Sequence, residues 1–90
     1  MTEWTWEYLP DAEQVAGGLE RVDQAAVEHL AQRLADAASV KYLGDPPVED
    51  SGVSRVLDHA EGRLMVWYQE HRRLRLVFIL RVQFWPVGDS

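Results

Sequence analysis

Ninety residues with a net charge of −6, no cysteine and four tryptophans describe one small acidic domain. A chain of this length buries roughly 60–65% of its unfolded surface, enough for a single core, and the missing thiols exclude disulfides and thiolate metal sites. The acidic balance argues against nucleic acid as a general partner, because phosphate neutralisation needs clustered lysine and arginine.

The strand pattern at the start is clear. Trp4, Trp6 and Tyr8 alternate with Glu3, Thr5 and Glu7, which predicts a half-buried strand over residues 2–9, ended by Pro10. Met1-Thr2-Glu3-Trp4 shows no basic stretch followed by an apolar run, so no secretory signal is expected and the cytoplasm is the expected compartment. Asp11 followed by Gln14 is a capping-box pattern for a short helix, with Ala12, Val15, Ala16 and Leu19 on one stripe and Gly17-Gly18 cutting it short. Asp23 then caps the best helical pattern in the chain, residues 23–38. Val27, Leu30, Ala31, Leu34, Ala35 and Ala38 form its apolar face, and Glu28, Gln32, Arg33 and Asp36 lie mostly off it.

Gly44-Asp45-Pro46-Pro47 ends the helical pattern, and Val48-Glu49-Asp50-Ser51-Gly52 reads as a polar, mobile loop. From Val53 the period changes to two. Three strands are expected, at 53–59, 63–69 and 74–85, joined by turns at Ala60-Glu61-Gly62 and Glu70-His71-Arg72-Arg73. In the last strand Leu74, Leu76, Phe78, Leu80, Val82 and Phe84 share one unbroken face. Arg75 and Arg81 interrupt this stretch, which is too short to span a bilayer, so no membrane is expected. The fold class is therefore α+β: a strand, a short helix, a long helix, then a three-stranded antiparallel meander.

Met65, Trp67, Val77, Ile79 and Trp85 would form a second apolar face of that meander. Full burial of five such side chains is worth on the order of 7–15 kcal/mol as an upper bound, so the face calls for a cover. Either the chain's own segments supply it, the N-terminal strand being the first choice, or a protein partner or second subunit does.

Motifs for catalysis are absent: there is no GxSxG, Walker loop, GxGxxG or HExxH, so no cofactor and no metal are expected. His29, His59 and His71 lie far apart. The acids Asp45, Glu49 and Asp50 read as a solvated loop rather than a cation site. Charge is unevenly spread. Residues 1–50 carry eleven acids and three bases, whereas residues 51–90 carry four acids and six arginines. The run His71-Arg72-Arg73 reads first as a solvated hairpin tip, and otherwise as a contact for an anion or an acidic partner. Arg63 and Arg81 open or interrupt apolar strands, a setting in which arginine pairs with a carboxylate or a carbonyl.

Gly62-Arg63-Leu64-Met65-Val66-Trp67-Tyr68, the following Leu74-Arg75-Leu76-Val77-Phe78-Ile79-Leu80-Arg81-Val82 and the long helix 23–38 resemble the RelE/ParE-like toxin fold. The resemblance spans nearly the whole chain and implies this element order, with the helices packed under the sheet. It also implies a toxin that binds an antitoxin or a target protein. In ribosome-dependent members the activity is mRNA cleavage, which would fall here to Arg63, Arg81 and His71. The basic run and terminal tyrosine of active members are replaced by Gln83-Phe84-Trp85-Pro86, and phosphoryl transfer without positive charge lacks its main stabilising interaction. The leading expectation is a protein-interaction domain that uses Met65, Trp67, Val77, Ile79, Trp85, Arg72 and Arg73. An endoribonuclease and a non-toxic homodimeric or immunity-like binding protein are the alternatives.

Overall fold

Each period in the sequence becomes the element it implies, with shifted ends. The computed structural model describes residues 4–44 and 52–85. In chain order it has β1 (Thr5–Tyr8), α1 (Ala12–Ala16), α2 (Arg21–Lys41), β2 (Leu57–Glu61), β3 (Leu64–His71) and β4 (Leu76–Phe84). The protein is α+β. The strands form one sheet in the order β1-β4-β3-β2. β2, β3 and β4 are the antiparallel meander, and β1 joins β4 in parallel. The N-terminal strand thus widens the sheet at its edge and does not cover a face.

α1 starts as expected, with the Asp11 carboxylate accepting from the Gln14 backbone N–H at 2.9 Å. α2 starts two residues before Asp23, which lies in its first turn. Glu20 is the N-cap and makes no side-chain capping bond. Gln24 anchors the helix start in another way: its Nε2 donates to the carbonyls of Ala16 and Leu19, tying it to the end of α1. The helix also runs past Ala38 to Lys41. Its 21 residues span about 31 Å.

The meander strands are offset from their expected positions. Val53 makes only an isolated bridge to His71, and the continuous ladder of β2 begins at Leu57. Gly62, at φ 59, and Arg63 form the two-residue hairpin loop to β3, with glycine at the first central position as a type II′ turn requires. β3 continues to His71, so Glu70 and His71 belong to the strand and not to the turn. The turn lies at Arg72–Arg75, with Arg75 at φ 54. The proposed strand end at Pro86 and Gly88, the loop acids Asp45, Glu49 and Asp50, and Pro46-Pro47 lie outside the described residues.

A bulge decides which residues form the core. Trp67 pairs with Arg81, but Tyr68 pairs with Ile79, so Leu80 is one extra residue on β4. Such an insertion breaks the ladder locally and shifts the alternation. Before the bulge Val77 and Ile79 face the helices; after it Val82 and Phe84 do. The expected unbroken face of β4 is therefore two half-faces on opposite sides of the sheet. Val77 and Ile79 are 0% exposed and pack with Trp4, Ala31, Ala35 and Ala38. A second cluster joins Val27 and Leu30 to Leu64 and Val66. The small residues of α2 let it lie close on the sheet, and Arg33 pairs with Glu61 to pin β2 to that helix. Val15 of α1 packs against the first cluster, so both helices cover the same face.

Candidate functional site

The opposite face of the sheet carries Met65, Trp67, Gln69 and His71 from β3, and Leu76, Phe78 and Arg81 from β4. Cross-strand neighbours share a face, so the register places Asp58 and Ala60 of β2 at one margin and Thr5 and Glu7 of β1 at the other. Leu80, the bulge residue, packs with neither core cluster. Among the described residues, no helix lies on this face.

Two contacts shape its surface. The Arg81 guanidinium lies 5.1 Å from the centroid of the Trp67 ring, a cation–π contact between neighbouring strands. The His71 ring meets Phe78 edge-on at 4.4 Å, and its buried Nε2 has no hydrogen-bond partner among the described residues. The apolar side chains of this face are half-buried, with the exposed Arg81 among them and acids at the margins.

The expected partner-binding set divides accordingly. Met65 and Trp67 lie on the open face. Val77 and Ile79 lie in the core and cannot touch a partner, because the bulge turns them toward α2. Trp85, past the end of β4, is 42% exposed. Arg72 lies over the Tyr42 ring at 4.9 Å, and Arg73 is exposed in the turn.

The three residues considered for catalysis do not converge. Arg63 Nη1 donates to the Trp85 carbonyl at 2.8 Å, and the guanidinium lies 5.9 Å from the centroid of the Phe84 ring. This is the carbonyl pairing that the sequence suggested. Arg63 and His71 sit at opposite ends of β3, about 26 Å apart at ~3.3 Å per residue, and Arg81 is level with Trp67 about midway. What this face offers chemically is non-covalent recognition. Among the described residues no three of His, Cys, Asp and Glu gather as a cation site, and no helix is long and apolar enough to cross a membrane.

A second cluster escaped the sequence reading. Glu70, 5% exposed, ends the inward series Leu64, Val66, Tyr68 on β3. One carboxylate oxygen, Oε1, accepts from Tyr42 Oη at 2.6 Å and from Lys41 Nζ at 3.0 Å. Tyr42 also stacks on Trp4, with ring centroids 5.6 Å apart. The hydrogen bond to Glu70 pushes the Lys41 ammonium above its ordinary value, against the effect of burial. Burial, then the same carboxylate, pushes the Tyr42 phenol up. The group fastens the end of α2 to β3. The available signal was the period-two phase, which makes Glu70 an inward residue if the strand is not stopped at Gln69.

No family model, no curated protein and no solved structure matches this chain.

Proposed function

We propose that this protein is a small interaction domain that docks a protein partner on the helix-free face of its sheet. The observation that carries this reading is the surface formed there by Met65, Trp67, Leu76, Phe78 and Leu80, apolar side chains that no described helix covers. A soluble domain rarely keeps such a contiguous surface without a use for it. The resemblance of residues 62–68, 74–82 and the long helix to RelE/ParE-like toxins adds a class of partner, an antitoxin or a target protein. On that resemblance the protein is a diverged member that acts by contact. The endoribonuclease reading gains no support from the separated positions of Arg63, Arg81 and His71.

The test is comparative. Tagged wild type, Trp67→Asp and Val22→Asp are cross-linked in cells, and captured proteins are identified by mass spectrometry. Val22 is 70% exposed on α2, away from the sheet. The same partner should be lost with Trp67→Asp and retained with Val22→Asp. Identical recovery by all three, with each variant folded by circular dichroism, refutes the reading.

A further inference from the structure

Resting on that reading, we infer that the occupant of the open face is a second copy of this chain, packed sheet against sheet about a two-fold axis parallel to β3.

The row Asp58–Trp67–Arg81 runs straight across β2, β3 and β4 on the open face. Strands are about 4.8 Å apart, so the acid and the base flank the tryptophan at nearly equal distances. A two-fold axis lying between the facing sheets and running along β3 exchanges the two flanks. Trp67 then meets Trp67 of the other copy, and each Arg81 meets Asp58. The row is complementary to itself in that orientation. An axis across the strands would set Arg81 against Arg81 and is disfavoured by like charge. Facing sheets pack about 10 Å apart, a gap that an arginine side chain can bridge. Both Asp58 and Arg81 are exposed, and Arg81 reaches across the gap by leaving its contact with the Trp67 ring, which uncovers that ring for its counterpart.

Much of the negative charge lies away from the open face. Glu13, Glu20, Asp23, Glu28 and Asp36 belong to the helices or their caps, on the far side of each sheet, and Glu7, on the open face, sits on β1, which overhangs the overlap of the two copies. With ~10 Å per layer, the two helical layers lie about 30 Å apart, beyond the ~8 Å screening length at physiological salt. The sheet half of the chain is mildly basic, with six arginines against four acids over residues 51–90.

The size of the face sets the strength. About an axis along β3 the strands β2, β3 and β4 of the two copies face each other, and three strands by about six residues give a footprint near 300 Å² and, with side-chain relief, about 450 Å² per copy. Two copies bury about 900 Å², below the usual size of stable specific interfaces, so the dimer is a weak one, with a dissociation constant on the order of 100 µM.

The experiment is sedimentation velocity at about 5–500 µM. Wild type should pass from monomer to dimer over that range. Trp67→Asp, at the centre of the interface, should weaken association about 30-fold or more. Arg81→Asp alone and Asp58→Arg alone should each be monomeric, because each makes two like-charge contacts across the axis. An equimolar mixture of those two variants should form a heterodimer within about threefold of wild-type affinity, since each charge again meets its opposite. Circular dichroism on every variant separates lost association from lost fold. A wild type that stays monomeric at 500 µM, or a dimer indifferent to Trp67→Asp, overturns the inference, and so does a mixture that fails to associate. Those results leave the broader reading standing if capture of a different protein still depends on Trp67; capture indifferent to Trp67 removes that reading as well.

Discussion

Ile79→Ala and Leu80→Ala, in adjacent residues, separate the bulged sheet from the unbroken strand that the sequence alone suggests. Ile79 is fully buried against Trp4, Ala31, Ala35 and Ala38, and Leu80 is packed in neither core cluster. Ile79→Ala removes three carbon groups, about 2.4 kcal/mol of transfer free energy at ~0.8 kcal/mol each. The void left under α2 adds to this, because the surrounding backbone relaxes only partly, and the total should reach about 3–4 kcal/mol. A domain of this size has a total stability of roughly 5–13 kcal/mol, so the loss is large. Leu80→Ala should cost under about 1 kcal/mol. Urea denaturation followed by circular dichroism measures both. With a slope of about 1 kcal/mol per molar urea, Ile79→Ala should move the midpoint down by about 3 M and Leu80→Ala by under 1 M. Equal losses, or a larger loss at Leu80, would refute the bulge and the core built on it.

Tyr42→Phe should cost about 1.5–3 kcal/mol by removing a hydrogen bond to the buried Glu70 carboxylate. Lys41→Met should cost under about 1 kcal/mol, because its side chain is 55% exposed and its ion pair is screened; urea midpoints rank the two, and the reverse order would overturn this account of the cluster. Burial raises the phenols of Tyr8, Tyr42 and Tyr68, with nearby Glu28 or Glu70 adding to it. A raised native value means stability that is complete below about pH 10 and is lost as pH rises through the folded values. The tyrosinate absorbance at 295 nm of folded protein at pH 10 should therefore be lower than that of protein in denaturant, and equal signals would contradict the burial of these rings. Gly62→Ala should cost about 1 kcal/mol in thermal or urea melts purely through its positive φ, because an added Cβ there meets no atom within 4 Å.

Period and punctuation in the sequence were enough for the element order, the apolar face of α2 and the Asp11 cap. These are local properties: a helix with one apolar stripe, or a strand with one apolar side, records in its own residues which side is buried. β4 lacks that asymmetry. From Leu76 to Leu80 both of its sides are apolar, so the pattern cannot say which side meets the helices, and a slip of one residue exchanges them. Only pairing with β3 placed Leu80 as the extra residue and sent Val77 and Ile79 inward, leaving Met65 and Trp67 to share the open face with Leu76 and Phe78. The same holds for Glu70, whose buried carboxylate is met by Lys41 and Tyr42 from the end of α2, 29 and 28 residues away in the chain. The separation of Arg63 from His71 and the row Asp58–Trp67–Arg81 are likewise products of strand pairing, since distance along a chain carries no information about position across a sheet.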